Sequence, residues 1–499
     1  MKSRILLAGL KGWVILVLSG FSAALFFLLV SPDAGYVLAP IAATLFIALL
    51  FWWALSRRRG EIPLAEPGII AVLAMVCYAI IPSLQFLLSG MEHTILSAYQ
   101  LYVLAPTAQE FGAFTWWYVV YLLSFVIGYL VFDPKKRTPA FIPRFPGHAT
   151  NGILLLVFGI LSAIMFAIEA MYEINLYGVY DIERMYETYE TYLQMPVLFR
   201  QLYGIIGHNG ILLIVKLGLL LTIFLNWKKR AYRYALYAWL IVMLVSNVLW
   251  MGARTELVLT FVACAIMYHR FVKPLRVRQI LPAAITVFVG FMIIGVMRGA
   301  ANIGANVENL KDIFGSAETI FSTNTEFQAL FGGNYDLLLM RKGGLLGEIP
   351  VQFVLYDLVM IIPQQILPFE KLDVQQWVVN RSLNPGFFMF NPISQSIIGF
   401  GWVELIFRGL FLGLVLARVR AWYIKRTSSF WPTLLYFYLI IISYYTIRGT
   451  AIYVLLASIL FRFIPVYFLI LFVTKCGRVA TPRVSVASRI VFRGKSCLL

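Results

Sequence analysis

Asp133-Pro134-Lys135-Lys136-Arg137 is a basic knot between two long apolar runs, and knots of this kind recur at nearly every second break between such runs. If the apolar runs are membrane spans, one side of the membrane receives Lys2, Arg4 and Lys11; Arg57, Arg58 and Arg59; and Lys135 to Arg137 with Arg144. The same side continues with Lys228, Lys229, Arg230 and Arg233, then Arg270, Lys273, Arg276 and Arg278, then Arg418, Arg420, Lys425 and Arg426. It closes with Lys475, Arg478, Arg483, Arg489, Arg493 and Lys495. That side holds 28 of the chain's 41 basic residues and three acids, Glu61, Glu66 and Asp133. Basic loops stay in the cytoplasm, so this face is predicted to be cytoplasmic and both termini lie on it.

With 61% hydrophobic, 16% aromatic and 13% charged residues, the composition predicts an all-α polytopic membrane protein rather than a soluble enzyme with an anchor. A span needs about 20 apolar residues. The candidates are 13–30, 36–55, 67–88, 114–132, 152–171, 205–225, 234–250, 256–270, 280–297, 398–416, 430–446 and 451–473. Twelve spans return the chain to the side on which it began. Spans 1–9 then occupy 1–297, with external loops 89–113 and 172–200; a large external, helical loop covers 298–397. Spans 10–12 fill 398–473, and 474–499 is a basic cytoplasmic tail. The run Ile349 to Leu367 would reverse this parity if it crossed. Pro350, Pro363 and Pro368 interrupt it and Asp357 is ill placed for lipid, so it is expected to be interfacial or re-entrant, or one half of an extra pair of spans.

The net charge of +18 does not point to nucleic acid, because the basic residues are spread along one membrane face, where they meet anionic headgroups. The cysteines Cys77, Cys264, Cys476 and Cys497 fall in spans or the cytoplasmic tail and imply no disulfide framework. Cys497 does not fit a prenylation signal, and the first apolar run is expected to be a retained span. No Walker A and no G-x-G-x-x-G after a strand is present. The energy for any reaction would therefore come with the substrate or from a gradient. His93, His148, His208 and His269 lack metal-ligand spacing, and no metal is predicted. His208 is the one placed to exchange a proton. The Tyr- and acid-rich stretch 172–192 reads as an amphipathic interface helix, with sugar stacking as its functional alternative.

Charges within or just outside the membrane are costly, roughly 2.5–3.5 kcal/mol each on insertion scales, and usually face a partner or a cavity. Arg254 and Glu256 sit at a tight external turn; Arg298 closes the ninth span; Arg448 lies in the turn Thr446-Ile447-Arg448-Gly449. Glu404 and Arg408 are four apart, hence on one helical face, where they form either an internal ion pair or part of a site. Lys216 and Arg462 fall deep in their spans and read as packed or snorkelling charges. Arginines in external turns, with Arg341 and Arg381 in the long loop, suit a bound phosphate group, which guanidinium grips in bidentate fashion.

Three features together resemble the O-antigen polymerase (Wzy-type) family of oligosaccharide repeat-unit polymerases. They are the Gly252-Ala253-Arg254 turn opening a span, the long external loop after Arg298, and Asn391-Pro392-Ile393-Ser394-Gln395-Ser396 leading through Glu404 to Arg408-Gly409 and Gly413. The likeness rests on layout and short patterns. It implies a GT-C-like glycosyltransferase of the bacterial inner membrane, active on the periplasmic face without metal, nucleotide or other cofactor. The implied substrate is an undecaprenyl-diphosphate-linked oligosaccharide in the bilayer, and a chain-length regulator protein is a further candidate partner. In that reading Arg254, Arg298, Arg341, Arg408 and Arg448 bind the diphosphate, and Glu404 is the first choice of base, with Glu256 and Asp336 next. An O-antigen ligase-type transferase shares the layout and differs in its acceptor. A lipid-linked oligosaccharide transporter is the rival from another class, although no internal repeat is visible.

Overall fold

The computed structural model describes residues 32–59, 63–88, 106–134, 152, 154–164, 210–249, 254–275, 279, 282, 325–353, 355–362, 364–372, 374, 377, 381, 390–427 and 429–480. The predicted span 13–30, the span 280–297 apart from Pro282, the stretch 172–200, Arg298, and His93, His148 and His208 lie outside the described residues. Every regular element among the described residues is helical. The longer ones are α1 (Pro32–Arg59), α2 (Pro67–Leu88), α3 (Ala108–Phe132), α4 (Leu154–Ile164), α5 (Ile211–Leu225), α6 (Arg230–Leu249), α7 (Arg254–Phe271) and α8 (Thr325–Lys342). They are followed by the single turn α9 (Tyr356–Val359), then α10 (Pro392–Ile398), α11 (Trp402–Ile424), α12 (Phe430–Arg448), α13 (Ala451–Ala457) and α14 (Ile464–Ala480). Among the described residues, five helical stretches are long and apolar enough to cross a membrane: Pro32–Arg59, Pro67–Leu87, Ala108–Phe132, Phe430–Arg448 and Ala451–Phe472. This is the make-up of a helical, membrane-embedded protein.

Several boundaries differ from the sequence expectation, each for a local reason. α3 begins at Ala108, not 114, because Thr107 and Glu110 form a capping box: the Thr107 hydroxyl accepts from the Glu110 amide, and the Glu110 carboxylate accepts from the Thr107 amide. Gln109 and Glu110, expected at the end of an external loop, are thus the first turn of a helix. The span expected at 398–416 is shifted to Trp402–Ile424, because Gly399 ends α10 and Gly401, at φ 67°, turns the chain before α11 starts. The last membrane-crossing stretch is a single rod in which a π-helical segment, Ser458–Phe463, joins α13 to α14 and carries Arg462. Among the described residues of Ile349 to Leu367 there is no long helix. The run breaks into Val351–Phe353, α9 and Gln364–Ile366, none longer than four residues.

Among the described residues the most extensive helix pairing is α3 with α11, followed by α1 with α3. Small residues explain the approach. A Cβ on Gly413 would lie 2.3 Å from the Phe125 carbonyl oxygen, one on Gly128 2.3 Å from the Leu410 carbonyl oxygen, and one on Gly409 2.7 Å from Ser124 Cβ. Gly409 and Gly413 form a G-x-x-x-G face, and in lipid such faces associate by backbone contact rather than by apolar burial. The same device seats α1, since a Cβ on Gly112 would meet the Tyr36 carbonyl oxygen at 2.3 Å. α12 then packs on α2, and α8 packs on both α2 and α10.

Candidate functional site

Two clusters of hydrogen-bonded polar residues stand out among the described residues. In the first, Asn391 caps α10, its Oδ1 accepting from the amides of Ile393 (2.9 Å) and Ser394 (3.1 Å). Asn334 of α8 joins the cap, donating from Nδ2 to Tyr118 Oη (3.0 Å) and to Asn391 Oδ1 (3.4 Å). An aromatic sheath surrounds it: Phe331 stacks on Phe111 and Tyr118, and Phe114 meets Phe331 and Tyr335 edge-on. At the other end of α10, Arg341 donates from Nη1 to the carbonyls of Ile397 and Gly399, satisfying groups that a helix C-terminus leaves unpaired.

The break between α10 and α11 makes room for a charged knot. Glu404 Oε2 accepts from the Phe400 amide at 2.8 Å, and a Cβ on Gly399 would lie only 1.8 Å from that oxygen. Arg408 reaches Glu404 Oε1 from Nε (2.7 Å) and Nη2 (2.6 Å). From Nη1 it donates to Asp357 Oδ2 (2.8 Å) and Gln395 Oε1 (2.9 Å). Asp357 Oδ1 in turn accepts from the Tyr453 amide at 3.3 Å. One guanidinium thus joins α9, α10, α11 and α13 through two carboxylates, and the trio carries a net charge of −1. The three side chains are only 7 to 10% exposed. This is a closed ion-pair network whose cation is already engaged by carboxylates.

Asp336, on α8, is different. It is 2% exposed, and among the described residues its Oδ2 has no hydrogen-bond partner. Burial pushes its carboxyl up to about 7. A carboxyl poised near neutrality with one oxygen uncommitted has the properties required of a general base.

The predicted site residues fall as follows. Glu404 and Arg408 meet each other; Arg341 joins the same region by holding the end of α10; Asp336 lies on the helix that carries Asn334 and Arg341. Arg254 and Glu256 are in the first turn of α7, and their side chains lie outside the described residues. Arg448 ends α12 and is half-buried. Of the expected packed charges, Lys216 is 2% exposed within α5. His269 accepts at Nδ1 from the Leu275 amide. Among the described residues no three His, Cys, Asp or Glu side chains converge as a metal site.

A second network, which the sequence reading treated only as topology, lies at the basic end. Arg59 Nε and Arg420 Nε both donate to Glu66 Oε1, at 2.7 and 2.8 Å, and Tyr129 Oη donates to Oε2 at 3.0 Å. Asp133 Oδ1 receives Arg59 Nη2 (2.6 Å) and Arg420 Nη1 (3.1 Å), and its Oδ2 receives Arg58 Nη1 (3.4 Å). The side chains of Arg59 and Arg420 are 1% exposed. The signal available in the sequence was one of exception: Glu66 and Asp133 are two of only three acids on a face with 28 basic residues.

No family model, no curated protein and no solved structure matches the chain.

Proposed function

We propose that this protein is a multi-pass glycosyltransferase of the bacterial inner membrane, with about 12 spans and a GT-C-like plan. In this reading it polymerises undecaprenyl-diphosphate-linked oligosaccharide units on the periplasmic face. The observation that carries the proposal is Asp336, a buried carboxyl shifted toward neutrality whose Oδ2 has no hydrogen-bond partner among the described residues, on the helix whose Asn334 and Arg341 bond to the α10 segment. In the reaction an acceptor sugar hydroxyl forms a bond to the anomeric carbon of the donor chain. The bond from that carbon to the diphosphate breaks, the lipid diphosphate leaves with the electron pair, and the hydroxyl proton passes to the base. Asp336 is better fitted to that role than Glu404, whose two oxygens are held by Arg408 and the Phe400 amide. Arg408 is likewise engaged by two carboxylates. The diphosphate role therefore rests on Arg254, Arg298 and Arg448, with Arg341 at the end of α10.

A second reading, a lipid-linked oligosaccharide transporter, draws support from the helix broken between Ile398 and Trp402 and from buried charge beside the break. One experiment separates the two. Purified protein in nanodiscs is given lipid-diphosphate-linked repeat units without nucleotide or added metal, and the glycans are resolved on a gel. A ladder spaced by one repeat unit that vanishes in Asp336→Asn supports the transferase. Failure to extend the authentic substrate, combined with its movement between leaflets in proteoliposomes, would move the assignment to transport. Transfer of a single finished chain to a lipid A core acceptor would mark a ligase.

A further inference from the structure

We propose that residues 345–369 are an interfacial strap: its apolar side rests among the lipids at the boundary of headgroups and acyl chains, and Asp357 pins its other side to the bundle. The proposal needs only that the chain is membrane-embedded. Among its described residues the helical pieces are at most four residues long, far short of the about 20 that a span takes.

Its side chains nevertheless divide into two sets. Leu346, Phe353, Asp357 and Val359 are buried against the protein. Leu355, Leu358, Ile362, Ile366 and Phe369 are exposed, Ile366 by 71%. An outward apolar set this dense on a short, irregular segment is a burden in water and fits the edge of a bilayer.

The depth follows from the contacts of Asp357. It accepts from the amide of Tyr453, in the first turn of a membrane-crossing stretch, and from Arg408, in the second turn of α11. The strap therefore sits at the start of the membrane-crossing stretch Ala451–Phe472 and against the second turn of α11. Its own polar groups are stapled internally, as an interface requires of irregular backbone. Gln352 donates to the Glu370 carbonyl and accepts from the Leu372 amide; Gln364 does the same with the Phe369 carbonyl and the Lys371 amide.

The test uses full-length protein with Cys77, Cys264, Cys476 and Cys497 replaced by alanine and a single nitroxide at Leu358→Cys, Ile366→Cys or, as an exposed polar control, Glu348→Cys. The protein is reconstituted in vesicles of phosphatidylcholine and phosphatidylglycerol, and spin relaxation by oxygen is compared with relaxation by a water-soluble nickel chelate. The proposal expects oxygen to exceed nickel at 358 and 366, with the ratio reversed at 348. Nickel exceeding oxygen at either 358 or 366 overturns it, and means that water or a partner protein covers this face. Asp357→Asn in the 358-labelled protein should sharpen the nitroxide spectrum as the strap loosens. An unchanged spectrum would refute the pinning by Asp357.

Discussion

Glu66→Gln is the most demanding test of the packing at the basic end. In the native cluster three guanidiniums, Arg58, Arg59 and Arg420, face two carboxylates, a net charge of +1. The substitution keeps the shape but leaves three guanidiniums on Asp133 alone, a net charge of +2 in a region from which water is nearly excluded. Removing one partner of a buried pair costs about 3–5 kcal/mol. Glu66 serves two arginines and Tyr129, so its loss belongs at the upper end of that range. Asp133→Asn should cost nearly as much. Arg59→Gln and Arg420→Gln leave the cluster neutral and should cost less than either acid. Arg58, whose side chain is 28% exposed and 3.4 Å from Asp133, should be worth no more than about 1 kcal/mol. Thermal unfolding in nanodiscs, followed by tryptophan fluorescence, ranks the five variants. The reasoning fails if Glu66→Gln melts with the native protein, or if Arg58→Gln costs as much as Arg420→Gln.

Three further outcomes are expected. Asp336 has its carboxyl raised from the usual range to about 7, so the folded state holds a proton that the unfolded chain has already lost. Stability should therefore fall as pH rises from about 4 to 7, by on the order of 4 kcal/mol in all, and Asp336→Asn should flatten that fall in pH-dependent melting curves. If Asp336 is the base, turnover of the lipid-linked substrate should instead rise through pH 7 as the carboxyl ionises, and Asp336→Asn should abolish it. Gly413→Leu should destabilise by about 1–3 kcal/mol, because its side chain would have to enter where even a Cβ sits 2.3 Å from the Phe125 carbonyl oxygen. Gly152→Ala, with nothing within 4 Å of its would-be Cβ, is the control that should leave the melting temperature in place.

How much of this was legible in the sequence depended on the range of the interaction. Apolar run length located α2 residue for residue and most other crossing helices to within a few positions, since bilayer thickness acts on each run alone. Spacing along a single helix put Glu404 beside Arg408, and they do pair. What it lacked was Asp357. The sequence marked that residue as ill placed for lipid, yet its partner stands 51 positions away, and nothing local names such a partner. Similarly, the basic residues that report topology also include two that are buried in an ion network. Charge patterning counts Arg59 and Arg420 alike with Arg57, and only the convergence of α1, α3 and α11 distinguishes them. The Thr107-x-x-Glu110 pattern that starts α3 is present in the sequence, but apolar run length does not register such a cap.

The break between α10 and α11 bears on which function is correct. In transporters built on broken helices, the half-helix ends hold the cargo, so their backbone groups must be open to it. Here they are taken. The carbonyls of Ile397 and Gly399 accept from Arg341, the Phe400 amide is held by Glu404, and the Gly401 amide donates to the Ser396 carbonyl. A cargo would have to displace a guanidinium and a carboxylate that also anchor α8 and α11. The break therefore reads as a way to bring Glu404, Arg408 and Asp357 together, and its engaged backbone groups count against a half-helix cargo site. Arg341→Gln should follow the same logic. It should cost on the order of 1 kcal/mol through weakened capping of α10, slow chain extension by loosening the segment that carries Gln395, and leave no leaflet-to-leaflet movement of the lipid-linked unit to be lost. If the native protein moves the lipid-linked unit between leaflets without extending it, and Arg341→Gln abolishes that movement, cargo sits at the break and the assignment reverses.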